Sequence, residues 1–220
     1  MPRSTVAANG PIAQADYREP RGGALCLDFV NTVDRHETGA VPTFDYLAPG
    51  YANLLAWSAF VGVVDTRVAV SLRRLARKQG REAAAVRRRA VQLREAIATI
   101  VQTIRQGSDQ AAVPQDAVAI LEAEVATAHT HQKLMLRDAR VVALLDEGAE
   151  LEMLLWPVAL SALEVLGSDA ANRIGQCAAD DCDWFFLDTS KNRSRRYCST
   201  SGCGNAARIR RFRARKTQQA

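Results

Sequence analysis

Cys177-Ala-Ala-Asp-Asp-Cys182-Asp-Trp-Phe-Phe-Leu187, followed after a polar stretch by Arg195-Arg-Tyr-Cys198-Ser-Thr-Ser-Gly-Cys203-Gly-Asn205, contains four of the chain's five cysteines. Both pairs are spaced Cys-x4-Cys, and fifteen residues separate them. Each pair closes a short loop, and the interval is long enough for a hairpin, which is what a tetrahedral metal requires of a small module. The leading reading is that Cys177, Cys182, Cys198 and Cys203 are four thiolate ligands of Zn2+. Two disulfides are the alternative, disfavoured in a chain whose N-terminus does not read as a secretory leader. A redox-sensing zinc site, releasing its metal on thiol oxidation, would use the same residues.

Working outward, Trp184-Phe185-Phe186-Leu187 reads as a strand, residues 188–192 as a polar turn, and residues 195–198 as the returning strand. Beyond Cys203 a breaker-free segment through Lys216 reads as a helix. On it Ala206, Ile209 and Phe212 would form an apolar seam against the zinc hairpin, while Arg208, Arg211 and Arg215 fall on another face, flanked by Arg210 and Arg213. With so little chain, the metal would supply much of the module's folding free energy, on the order of 10 kcal/mol.

Charge sorts along the chain in the same way. The whole chain carries a formal +5, but residues 171–220 hold eleven Lys/Arg against four Asp, a net +7, which leaves residues 1–170 at −2. Between residues 189 and 216 there are ten Lys/Arg and no acid. A cationic stripe beside a zinc site fits contact with phosphates and guanine edges of duplex DNA. The candidate nucleic-acid contacts are Lys191, Arg193, Arg195, Arg196, Arg208, Arg210, Arg211, Arg213 and Arg215, with the cations between the cysteine pairs also able to neutralise the zinc centre.

Residues 173–215, with the run Trp-Phe-Phe-Leu-Asp-Thr-Ser-Lys-Asn-Arg-Ser-Arg-Arg-Tyr set between the cysteine pairs, resemble the CGNR zinc finger. The resemblance implies a treble-clef-like zinc module with the four cysteines as ligands, in a DNA-binding transcription regulator. Here the eponymous tetrad reads Cys203-Gly204-Asn205-Ala206, with alanine where the family has arginine.

Upstream, Leu27-Asp28-Phe29-Val30-Asn31-Thr32 resembles the opening signature of the ABATE domain of stress-induced transcription regulators, usually found ahead of a CGNR finger. Asp28 and Asn31 are polar groups in an apolar segment and read either as capping or core hydrogen-bonding groups or as a pair lining a ligand pocket. Cys26 reads as a buried apolar thiol.

The remainder reads as mostly helical. Residues 1–20 are expected to be a mobile tail, 21–167 a mainly α domain with one small hairpin, and 171–217 the zinc module, with 167–169 as linker. Helices are expected over 51–63, 66–78, 81–105 and 115–128, a hairpin with strands 133–136 and 140–145, and helical periodicity over 150–166 that Pro157 either kinks or starts. Arg73-Arg74 and Arg87-Arg88-Arg89 read as solvated helix faces, and His129 and His131 as surface histidines.

The apolar stretch 54–64 is too short to span a bilayer, so a cytoplasmic protein is expected. No phosphate loop, G-x-S-x-G or H-E-x-x-H motif occurs, and no enzymatic role is expected. Arginine outnumbers lysine 25 to 4, as in GC-rich genomes. The sequence therefore points to a bacterial transcription regulator that binds DNA through its zinc module, with an N-terminal domain that senses a small-molecule effector or forms a homodimer. An RNA- or protein-binding zinc adaptor is the alternative.

Overall fold

The computed structural model describes residues 17–34, 44–107, 114–146 and 148–218. Its elements are helices α1 (Leu25–Val30), α2 (Tyr51–Phe60), α3 (Thr66–Lys78), α4 (Gly80–Arg105) and α5 (Gln115–Thr130), the hairpin β1 (Gln132–Arg137) and β2 (Arg140–Leu145), helix α6 (Trp156–Leu166), the short strands β3 (Ile174–Gln176) and β4 (Phe185–Leu187), and helix α7 (Asn205–Gln218). The molecule is mainly α, with two small antiparallel hairpins.

Local chemistry explains the helix ends. Asp65 caps α3, its carboxylate accepting from the Val68 amide at 2.7 Å, and Arg77 and Lys78 complement the dipole at the other end. Pro157 sits in the first turn of α6, where a missing N–H costs nothing, so it starts that helix rather than kinking it; a 3-10 turn, Leu151–Leu154, precedes it. Along α4 the buried positions Ala83, Val86, Ala90, Leu93, Ile97 and Val101 recur every three or four residues and form one apolar stripe. At 26 residues this helix is about 39 Å long.

The β1–β2 turn places Asp138 and Ala139 at φ 49° and 59°, the left-handed pair of a two-residue hairpin. One face of this hairpin is apolar and open to solvent, with Leu134, Leu136 and Val141 exposed.

The core does not stop at the zinc module. Phe29, Leu54, Leu93 and Leu154 belong to the same apolar cluster as Trp184, Phe185, Phe186 and Cys198. The expected linker 167–169 is ordered: Ser168 caps the 3-10 turn Asp169–Arg173, which leads directly into β3. Of the expected N-terminal tail, residues 1–16 lie outside the described residues, but Tyr17 is buried and donates to the Asn53 carbonyl, and the Arg18 guanidinium lies over the Phe44 and Trp184 rings.

Two further expectations are corrected. Residues 195–198 are not a strand; the partner of β4 is β3, upstream of the first cysteine, in the register Ile174↔Leu187 and Gln176↔Phe185. Arg87 and Arg89 are not merely solvated. Arg87 donates to the Leu47 and Ala48 carbonyls, and Arg89 bridges Glu124 of α5 and Glu152. A helix-face argument could not register these bonds, because their acceptors come from distant parts of the chain.

Candidate metal centre

Two tight loops bring the four cysteines together. In the first, the Cys182 amide donates to the Ala179 carbonyl. In the second, Ser199 organises a wide turn, Thr200–Gly204: its hydroxyl accepts from the Gly202 amide and its carbonyl from the Gly204 amide. The Cβ of any residue replacing Gly204 would lie 3.1 Å from that carbonyl oxygen, which gives the glycine of the tetrad a packing reason.

The Sγ atoms of Cys177, Cys182, Cys198 and Cys203 all lie within 4.8 Å of one another, with Cys182–Cys198 at 3.7 Å and Cys198–Cys203 at 3.6 Å. A tetrahedron with Zn–S bonds of ~2.3 Å has S···S edges of about 3.8 Å, so the spacing fits zinc, and an all-sulfur donor set suits it. The thiols share protons unequally. Hydrogen bonds from Cys182 and Cys198 bring Cys177 down to about 2, while the bond to Cys177 pushes Cys182 up and Cys198 up to about 12. Metal binding therefore displaces protons, and zinc affinity falls in acid.

The surroundings hold this cluster rigid. The Cys198 amide donates to Cys177 Sγ at 3.4 Å. Arg195 reaches four backbone carbonyls, those of Tyr197, Leu187, Arg21 and Cys198, and its guanidinium stacks 4.4 Å from the Phe186 ring centroid. Asp188 accepts from the Ser190 and Arg195 amides, and a hydrogen bond from the Ser190 side chain leads the interactions that hold its carboxyl below the usual range. Arg195 thus ties the second cysteine loop to β4 and to the N-terminal segment at Arg21. Its planar fork of donors finds carbonyls on every side, so the guanidinium serves the fold.

Asp28 and Asn31 do not form a ligand pocket. The Asp28 carboxylate accepts from the Arg21 and Gly22 amides at 2.8 and 2.7 Å, and desolvation pushes its pKa up. Asn31, 4% exposed, pairs with both backbone groups of Phe185: its amide nitrogen donates to the carbonyl and its oxygen accepts from the N–H, each at 2.9 Å. It acts as a strand partner supplied by the residue that caps the end of α1. Gly22 adds a third tie, its carbonyl accepting from the Leu187 amide at 2.7 Å. The links from Asn31 and Gly22 to β4 were missed because their partners are more than 150 residues apart; the signal in the sequence was an asparagine in an apolar segment. Cys26 is fully buried and unpaired, and its thiol is pushed up to about 11 by burial, which makes it unreactive.

Helix α7 departs from expectation on one face and keeps it on the other. Its inward residue is Ala207, whereas Ala206, Ile209 and Phe212 are exposed, the last two at 43% and 63%. The seam fails because α7 packs mainly on the turn that precedes it. Arg208, Arg211 and Arg215 face solvent, the Arg211 Nε donating back to the Ala207 carbonyl. Arg210 lies 3.8 and 3.9 Å from Asp180 and Asp181, and Arg213 has partners of its own. Lys191, Arg193 and Arg196 are exposed on the loop between the cysteine pairs.

His129 and His131 point to different partners: His129 bonds Gln132, while His131 stacks on Trp156 at 3.9 Å and lies near Glu150 and Glu152. Glu152 is already paired with Arg89.

No helix among the described residues is long and apolar enough to cross a membrane. Residues 173–216 match the CGNR zinc finger, whose metal is the zinc that the four sulfurs fit. No curated protein matches the chain. Residues 23–169, well over half of the chain, match the ABATE family, described as "Putative stress-induced transcription regulator". With that match and the zinc geometry together, the chain belongs to the ABATE family and ends in a CGNR zinc finger.

Proposed function

We propose that this protein is a transcription regulator in which the zinc module presents α7 to duplex DNA and the N-terminal helical domain senses an effector. The observation that carries the reading is the placement of Arg208, Arg211 and Arg215, exposed on a helix that packs mainly on its own preceding turn, beside a rigid sulfur centre. Arginine on an exposed helix can enter a groove without rearranging the body.

The test is duplex binding of the zinc-loaded full chain across a salt series. Five phosphate contacts from α7 give log K a slope of roughly −4 to −5 against log salt, and Arg208→Ala/Arg211→Ala/Arg215→Ala reduces that slope by roughly 3. Absent or salt-insensitive binding would remove the proposal. Ala206 is exposed at the start of α7, so Ala206→Arg strengthens binding through one added phosphate contact.

Exposed Phe212, with Lys216 5.7 Å from its ring centroid, favours a second reading, an RNA-binding adaptor in which the ring stacks on unpaired bases. Competition between duplex DNA and single-stranded RNA separates the two: preference for the single strand, lost in Phe212→Ala, supports the adaptor.

A further inference from the structure

We infer that the cleft between the start of α2, α3 and the first turns of α4 is the effector site of the N-terminal domain, and that its ligand is an amphipathic organic anion, an apolar body carrying a carboxylate or a phosphate. The inference rests on reading that domain as a sensor.

The cleft has a volume of about 610 Å³, within the range of small-molecule sites. Its floor is apolar, formed by Tyr51, Leu55 and Ala83, all buried. The Tyr51 hydroxyl donates to the Leu151 carbonyl, so the phenol's polar end is already engaged. Around this floor stand four arginines and no acidic residue, in a domain whose net charge is negative: Arg73 and Arg77 from α3, Arg87 and Arg88 from α4.

Arg87 is spent on two backbone carbonyls and forms part of the wall. Arg73, Arg77 and Arg88 are exposed, and none forms an ion pair among the described residues. Arg73 and Arg77 are one helical turn apart and repel each other unless an anion lies between them. Helix α2 begins at the same wall with Gly50 as an N-cap that offers no side chain, so the positive end of its dipole adds to the field.

A DNA backbone is the other polyanion to consider, but its phosphates gain nothing from a buried apolar floor. A molecule with an acidic head and an apolar body uses both halves of this cleft. Helix α4 also touches both ends of the system. It contributes Arg87 and Arg88 here, and at its far end Arg105 donates to Gln176 of β3 and lies 5.7 Å from the Phe185 ring centroid in the zinc module.

The test uses the zinc-loaded full chain with decanoate, decyl phosphate, decanol and inorganic phosphate as probes, followed by titration calorimetry without DNA. Decanoate or decyl phosphate is expected to bind saturably at one site per chain, and the tighter of the two identifies the head group. Decanol and inorganic phosphate should bind at least about tenfold more weakly, because each fills only half of the site. Arg73→Gln/Arg77→Gln/Arg88→Gln should lower affinity for the anion about tenfold or more while the variant still folds cooperatively and holds its zinc, since all three side chains are exposed. Ala84→Glu, which places a carboxylate in the cleft at an exposed position, should do the same.

Equal affinity for decanol, unchanged affinity in the triple variant, or no binding by any probe overturns the inference. So does a triple variant that loses duplex affinity while the native chain binds no anion, which would assign these arginines to DNA. Saturable anion binding by a chain that binds no duplex leaves the cleft assignment standing and removes the regulator reading instead.

Discussion

Replacing Asn31 with alanine isolates the joint between the helical domain and the zinc module. Asn31 lies in the loop after α1 and is 4% exposed, and its side-chain amide closes two hydrogen bonds of 2.9 Å with the N–H and C=O of Phe185, itself 5% exposed. Truncation removes both partners at once and leaves a buried donor and a buried acceptor, each costing about 1–3 kcal/mol, on a strand paired on its other side by the three-residue β3. The expected loss is about 3–4 kcal/mol in urea denaturation of the zinc-loaded chain, shown by a lower midpoint. The same variant should release zinc faster to a chelator, because β4 runs directly from the first cysteine loop toward Arg195. Asn31→Asp should be worse at neutral pH, since a carboxylate would face the Phe185 carbonyl where an amide donor stood. A change below about 0.5 kcal/mol in Asn31→Ala, with zinc release unaltered, would refute the claim that this bidentate pair holds the modules together.

Three further outcomes follow from the same geometry. Elemental analysis should find one zinc per chain, lost in Cys177→Ser and in Cys203→Ser, each of which removes one corner of the sulfur tetrahedron. Arg195→Lys should weaken zinc retention and lower stability by about 2–4 kcal/mol, because a single ammonium cannot reach the four carbonyls that the guanidinium spans; Arg195→Lys indistinguishable from native would contradict its assigned role. Asp45, held below its ordinary value by the Arg94 guanidinium despite desolvation that opposes it, has a folded pKa under the unfolded one. It therefore contributes stability that is present above about pH 4 and lost as pH falls further, and Asp45→Asn should flatten the stability profile over that window.

The parts that were legible from the chain alone are those in which the cause and the effect lie close together in sequence. Helix α3 begins and ends at the residues expected, because Asp65 caps it and Arg77-Lys78 close it within a few positions. The β1–β2 hairpin was legible from two apolar runs flanking Arg137-Asp138-Ala139, of which the structure keeps only the last two as the turn, and the metal site from two loops of fixed spacing whose sulfurs need only fold back on one another. The partner of β4 was misread because the stretch 195–198 is nearer in function, as the second cysteine arm, than β3, which lies before the first cysteine and carries no chemical signature beyond Gly175. That glycine is needed: a Cβ there would lie 2.6 Å from the Phe186 ring.

What the sequence determined by itself is therefore the zinc ligation and the segregation of positive charge into the last fifty residues, since both depend on residue identity and local spacing. Only the tertiary structure decided how each polar residue is used. Asn31 became a strand partner, Arg195 a clamp on four carbonyls, and Arg73, Arg77 and Arg88, which form no ion pair among the described residues, stand around an apolar cleft. The physical reason is that a hydrogen bond or an ion pair is fixed by distance in space, and residues more than 150 positions apart share no pattern that spacing along the chain can register.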